Sequence, residues 1–566
     1  MSKYTIGIDF GTLSGRAVLV DVRDGRELAV STMDYPHGVI SETLPGTDIK
    51  LPPDWALQDP QDYLDVLGHV VREVIGKSGV NPGDIIGIGI DFTACTVLPV
   101  RADGRPLCFE EKYKHNPHAY VKLWKHHAAQ KYADRLNATA RARGESWLGR
   151  YGGKTSSEWM FPKIWQVYEE APEVYHDAAY FIEAADWISW QLTGKQTRSY
   201  LFAAFKSMYI PEAGGYPSED FFAALDEGLR HVVRDKMNAP IIFTCQPAGY
   251  VTPEAAAKFG LPAGIAVACP MPDGHSATIA VGLSKDGDMC AIMGTSACYM
   301  LVGDKMTEVP GICGVAQDGL IPGHYGYEAG LCCVGDHFAW AKENVVTADY
   351  IREAEARGIS VLKLLIEKAS KLAPGESGLI ALDWFNGNRN ILNNASLSGV
   401  IVGMTLATKP EHIMRALIEA TAFGTRVIFE NFAEHGVSIK RVVAAGGIAR
   451  KDPFTMQLYA DVLKTDIEVT GSAQAPALSD AIQAAVAAGS RAGGYDSLGD
   501  AMAAMASRCN RVYHPDPAAG AVYDKLYAEY KILHDYFGRG GNDVMKRLRE
   551  LAEQQTGAGG QAQKII

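Results

Sequence analysis

The chain has 566 residues, 47% of them hydrophobic and 21% charged, with a formal net charge of −12. That length exceeds what one hydrophobic core organises, so two or more domains are expected. No run of about 18 uncharged apolar residues is present, which excludes a membrane-spanning helix, and acidic charge without a long basic block disfavours general nucleic-acid binding.

The first residues, Met1-Ser-Lys-Tyr-Thr-Ile-Gly-Ile-Asp-Phe10, place an aspartate where a secretory leader needs a longer apolar stretch. Tyr4 to Phe10 reads as a strand, broken at Gly11-Thr12 and resumed from Arg16 to Val20. An Asp24-Gly25 turn leads to a third strand, Glu27 to Tyr35. Ile85 to Asp91 is a further strand, and Thr96 to Val100 leads into an Asp103-Gly104 turn. The opening pattern returns at Met289 to Met293, with a break at Gly294-Thr295-Ser296 and a strand from Ala297 to Val302. Two copies of strand, Gly-Thr turn and strand predict a duplicated domain, dividing the chain into 1–284 and 285–540, with 541–566 expected as a flexible tail. Thr408-Lys-Pro-Glu411 has the form of a capping box, and opens a helix predicted to stop at Gly436. Arg441 to Ala445 is a strand, Gly446-Gly447 a turn, and Asp452-Pro453 the cap and first residue of the next helix. Ser479 to Gly489 reads as a helix of small residues. The ten cysteines have no paired-ligand spacing. Cys95, Cys290, Cys298, Cys332 and Cys333 lie in apolar runs and are expected to be buried free thiols of a cytoplasmic protein.

Four motifs carry chemistry. At Asp9-Phe10-Gly11-Thr12 a carboxylate ends a strand beside a turn whose glycine exposes backbone to phosphate oxygens. Asp9 there suits Mg²⁺ through water, although a plain hairpin turn favours the same residues. Gly294-Thr295-Ser296 repeats that chemistry, and two such turns across a cleft would hold a triphosphate. Gly446-Gly447, with Arg450 following, suits an adenine face, but taken singly reads more simply as a tight strand–helix turn. Asp273, in Met271-Pro-Asp-Gly-His-Ser-Ala277, precedes the domain boundary, where a carboxylate can take a hydroxyl proton during phosphoryl transfer. His275 is the rival base. Gly149 to Thr155 imitates a phosphate-binding loop with one residue too few, and His115 to His118 and His126-His127 lack the companions of a metal site.

With these motifs in this order, the chain resembles the FGGY carbohydrate kinases. Met160-Phe-Pro-Lys163-Ile-Trp165 and the stretch from Gly399 to Glu419 match as well. The resemblance implies an α/β fold of two actin-like (ribonuclease H-like) ATPase domains flanking a catalytic cleft. It implies ATP and Mg²⁺ as cofactors, Asp273 as base, and Asp9 with Asp273 at the metal. Gly11, Thr12, Gly294, Thr295 and Ser296 would bind phosphates, and Gly446, Gly447 and Arg450 would border adenosine. Ala94, Lys206, Asp273 and Glu328 would line the sugar pocket; taken on its own, Lys206 reads as an exposed lysine. Tyr151 to Trp159 and Leu382 to Arg389 resemble the branch of the family acting on L-ribulose in L-arabinose breakdown. Xylulose, ribitol and glycerol are the alternative acceptors. The partners implied are the sugar, ATP and a second copy in a homodimer, with no nucleic acid and no membrane. The chain departs from the family at Leu478-Ser479-Asp480-Ala481, where Leu-Gly-Ala-Ala is usual, which is expected to disturb the adenosine pocket.

Overall fold

The computed structural model describes residues 2–555. Its first sheet begins as the expected hairpin. Tyr4–Phe10 pairs antiparallel with Ser14–Asp21, which pairs antiparallel with Glu27–Asp34. On its other side Tyr4–Phe10 lies parallel to Ile85–Phe92, then comes Ala266–Ala268, also parallel, and Pro247–Tyr250, antiparallel. Ile85–Phe92 is buried at every position, as a continuous apolar run covered on both faces should be.

The second sheet repeats this order. Asp288–Met293 pairs antiparallel with Ala297–Gly303, which pairs antiparallel with Tyr325–Leu331. Its other neighbours are Arg441–Ala445 and Ile467–Thr470, both parallel, and Cys509–Tyr513, antiparallel. The repeat legible in two Gly-Thr turns is therefore a repeat of a whole sheet. Gly314–Gln317 extends the second copy at one edge.

The two copies interlock. Helix Ala475–Ala488 comes from the C-terminal half yet lies on the N-terminal sheet, and three glycines make room for it. A Cβ on Gly7 would stand 1.7 Å from the Ala477 carbonyl oxygen, and one on Gly89 would stand 2.1 Å from that of Asp480. Gly87 likewise faces Ala484. The Thr5 hydroxyl donates to the Ala481 carbonyl and the Ala280 N–H to the Ser479 hydroxyl, each at 2.8 Å. Ser479 thus joins this helix to Asp273–Ala280, the helix that carries the candidate base.

Some local expectations need correction. Thr408 does not cap the helix Pro410–Glu434: the cap is Lys409, whose N–H donates to His412 Nδ1 at 3.3 Å, while Glu411 accepts from the Tyr350 hydroxyl. Pro410 sits in the first turn as predicted, because it has no N–H to lose there. Asp452 caps Pro453–Leu463 through the Thr455 N–H. The stretch expected as a tail contains the helix Val544–Gln555, whose Met545 is buried in the C-terminal core. The remainder of that stretch, 556–566, lies outside the described residues.

Candidate active site

Strand register assembles a cluster of carboxyls. Asp9 and Asp91 are direct partners on the parallel strands Tyr4–Phe10 and Ile85–Phe92. Met271 pairs with Asp91 and Pro272 with Phe92, so Asp273 follows at the same sheet end. Asp480 reaches the cluster from the interlocking helix and is fully buried, as is Asp91. Among the described residues no other side chain donates to either carboxylate of that pair. Burial pushes Asp91 well above the ordinary carboxylate range, and the charges of Asp480 and Asp9 push it further. Burial does the same to Asp480. Asp9 is raised by burial, against the pull of Arg16, whose Nε is 3.5 Å from Asp9 Oδ2. Asp273 begins its helix with its side chain accepting the Gly274 N–H at 2.7 Å, and is pushed up to about 7, first by enclosure and then by the Asp9 charge. A carboxyl poised near neutrality suits proton transfer.

A second group of buried charges is built around an ion pair. Lys206 Nζ donates to both carboxylate oxygens of Glu328, at 2.6 and 2.7 Å. Lys206 is buried, not exposed as the lone residue suggested, because it ends a buried helix, Tyr200–Lys206, that aims its ammonium at the second domain. Burial would raise the Glu328 carboxyl, but the Lys206 charge and the hydrogen bonds from His275 and Lys206 together outweigh it, and the group is held far below its usual range. His275 Nε2 lies 3.1 Å from Glu328 Oε2, and burial lowers its proton affinity. His275 is thus engaged with Glu328. Ala94 stands beside Cys95, whose backbone is left-handed at φ 60°. That turn is braced from beneath by Lys163, buried among carbonyls and donating to those of Cys95 at 2.5 Å and Leu123 at 2.8 Å.

The two Gly-Thr turns are each closed by the glycine amide, over three residues in the first and two in the second. Gly11 N–H donates to the Ser14 carbonyl at 3.0 Å, and Gly294 N–H to the Ser296 carbonyl at 2.9 Å. The glycine amides close the turns themselves. Thr12, Thr295 and Ser296 are at least partly exposed, and Gly274 lies against Cys298 just past the second turn, so acid cluster and turn share one cleft. Gly446 adjoins the second turn: its φ is 95°, and a Cβ there would stand 2.4 Å from the Met293 carbonyl oxygen. Gly447 and Arg450 are exposed, with open space where a Gly447 side chain would be.

The N-terminal domain of the FGGY family of carbohydrate kinases matches residues 4–280, and its C-terminal domain matches 289–488. The chain belongs to the FGGY family of carbohydrate kinases. It is 53% identical over 544 residues to a ribulokinase of Bacillus licheniformis, covering 96% of this chain and 98% of that one. It is 47% identical to a ribulokinase of Mycolicibacterium smegmatis, covering 97% and 96%. In fold it is similar to a xylulose kinase of Rhodospirillum rubrum, with TM-score 0.76 at 24% identity, covering 94% and 98%. Plasmodium falciparum glycerol kinase with ADP aligns with TM-score 0.71 at 18% identity, covering 94% and 98%.

Within this FGGY chain some expectations move. Asp480, expected to disturb the adenosine pocket, faces Asp91 in the acid cluster, because its helix lies on the N-terminal sheet. Asp383-Trp384-Phe385 is held within the second domain. Asp383 accepts the Tyr530 O–H at 2.6 Å, Trp384 is buried, and Phe385 packs on His337 and Trp340. All ten cysteines are free, but Cys298 and Cys332 are only partly buried. Trp124 donates its indole N–H to the Thr12 hydroxyl at 3.1 Å. Nothing local in Leu123-Trp124-Lys125 signals that contact, which joins residues 112 positions apart.

Proposed function

We propose that the chain transfers the γ-phosphoryl group of ATP to the terminal 5-hydroxyl of L-ribulose, a step of L-arabinose breakdown. The observation that carries this reading is Asp273, raised to about 7, on one short helix with His275, which holds the Lys206–Glu328 pair. The helix thus joins a base to a wall of fixed charges suited to a polyhydroxylated acceptor. The full-length likeness to proteins named ribulokinase supports the choice of acceptor.

Asp273 accepts the proton of the attacking hydroxyl, while Lys206 and Glu328 hold the neighbouring oxygens and so fix which hydroxyl faces the base. Thr12 and the Gly294–Ser296 turn bind the phosphates, and Gly446, Gly447 and Arg450 border the adenosine. Among the described residues no group of three or more protein ligands is placed to hold a metal. That fits Mg²⁺, which is usually bound through one or two carboxylates plus phosphate oxygens and water. Asp9 and Asp273 would hold it, and it would neutralise charge on the phosphates. No helix among the described residues is long and apolar enough to cross a membrane. Cytoplasmic location and a homodimer complete the proposal.

The deciding experiment is a coupled ADP-release assay across three- to six-carbon polyols and ketoses. L-Ribulose should give the highest kcat/KM. A higher value for xylulose, ribitol or glycerol would overturn the acceptor while leaving a sugar kinase.

A further inference from the structure

Lys163 lies outside both the acid cluster and the Lys206–Glu328 pair, on the helix Met160–Glu170, and is 1% exposed. An ammonium has three donors and no acceptor. Its partners are three main-chain carbonyls: Cys95 at 2.5 Å, Leu123 at 2.8 Å and Lys122 at 3.5 Å. They belong to two stretches far apart in the chain. One follows strand Ile85–Phe92, and the other closes strand Val121–Lys122.

Both stretches touch the first Gly-Thr turn. Thr93 donates its N–H to the Phe10 carbonyl at 3.2 Å. Trp124, next to Leu123, donates its indole N–H to the Thr12 hydroxyl at 3.1 Å. An indole is a donor only, so the Thr12 oxygen accepts there and its own O–H is left to donate elsewhere. Thr12 is held at its main chain as well. Its carbonyl accepts from Gln58 Nε2 at 2.8 Å, and Gln58 Oε1 accepts from the Tyr63 hydroxyl at 2.6 Å. One buried ammonium therefore grips both the residue after Ala94, on the acceptor side, and the residue before Trp124, on the nucleotide side.

We propose that Lys163 is a positioning residue shared by the two substrates. Through Cys95 it sets the turn that carries Ala94, and through Leu123 it aims Trp124, so that the Thr12 hydroxyl is offered to phosphate oxygens as a donor. The inference deepens the proposed function and rests on its placing of Thr12 and Ala94. Lys163 acts through these neighbours, so its loss should appear in both KM values. Loss of a merely structural lysine would reduce the amount of folded enzyme, and with it the measured kcat, while the remaining molecules kept their KM values.

The test is a double-mutant cycle, read with the best acceptor of the panel. Lys163→Met keeps the stem and removes the donors; Trp124→Phe keeps an aromatic ring and removes the N–H. Trp124→Phe should raise the KM for ATP about 2- to 10-fold, as for one lost hydrogen bond. Lys163→Met should raise it at least as much, and should raise the acceptor KM by about fivefold or more. The double variant should keep the ATP KM of Lys163→Met, because the second change removes a contact already misplaced. Multiplied single effects on the ATP KM, an unchanged ATP KM in Trp124→Phe, or a lower kcat with both KM values unchanged in Lys163→Met would each overturn the proposal. Should Lys163→Met fail to fold, Lys163→Gln, which retains two donors, takes its place in the cycle under the same criteria. Thr12→Val separates the inference from the reading beneath it. No change in its ATP KM would overturn the phosphate role of Thr12 and the proposal together. A rise in Thr12→Val without one in Lys163→Met would overturn the proposal alone. If the best acceptor is not L-ribulose, the proposed acceptor fails, while the cycle read with the better acceptor still decides Lys163.

Discussion

The Lys206 ammonium and the Glu328 carboxylate meet at 2.6 and 2.7 Å, one partner from each domain, both almost fully buried. Removing either partner strands the other as an uncompensated charge. Glu328→Ala or Lys206→Ala should therefore cost ~3–5 kcal/mol of stability. Either should also lower kcat/KM for the sugar by ~1–3 kcal/mol, roughly 5- to 150-fold, with the KM for ATP almost unchanged. The double change Lys206→Met with Glu328→Met should regain much of the stability in a denaturant melt and none of the activity. Recovered activity would show that the pair serves packing alone.

Asp273→Ala should lower kcat by ~10²–10⁴-fold while ATP still binds, since a positioned base contributes that much to phosphoryl transfer. A variant retaining more than about a tenth of the parent rate would contradict the assignment. Asp273 works as a base only when ionised, so parent activity should fall as pH drops through about 7, the value to which its surroundings raise it. The folded chain holds this proton more tightly than the unfolded chain does. Stability from that proton is complete below pH 3.8 and is lost as pH rises to about 7. Without nucleotide, Asp273→Asn should then melt higher than the parent at pH 8 and show no such gain at pH 3.5.

The glycines of the nucleotide side should separate by mechanism. A Cβ on Gly294 would have nothing nearer than the Ser296 carbonyl oxygen at 4.0 Å. Gly294→Val should fold and project into the cleft, raising the KM for ATP or abolishing turnover without moving the KM for sugar. Gly446→Ala should fail earlier, in folding, because φ 95° and the Met293 carbonyl at 2.4 Å exclude a side chain. Soluble expression and a thermal melt distinguish the two outcomes.

Asp480 and Asp91 face each other in the core with no other side chain donating to either, both raised above the carboxylate range chiefly by burial. Both bind protons more tightly folded than unfolded, so their contribution declines as pH rises through the raised values. Asp480→Ala should stabilise the chain at pH 8 by ~1–3 kcal/mol, the scale of an unsatisfied buried polar group. The gain should shrink in acid. A loss of stability at pH 8 would show that the pair is held by something other than a shared proton.

The sequence by itself determined what is local. Alternating apolar runs, the Gly-Thr breaks at 11 and 294 and the Asp452-Pro453 cap are set by backbone sterics and nearest neighbours, and they stand where they were read. The repeat of two such turns was enough to expose a duplicated sheet. Contacts between residues far apart in the chain were not legible. Lys206 and Glu328 are separated by 122 positions, and nothing near either residue shows that they pair. Asp480 pointed to the adenosine side until its helix was seen on the other domain's sheet, where Gly7, Gly87 and Gly89 let it approach. Asp383 accepts from Tyr530, 147 positions on, a contact the local sequence does not show. A side chain's charge state and partners depend on what the whole chain brings to it, and only the tertiary structure supplies that, because desolvation and pairing act through space rather than along the sequence.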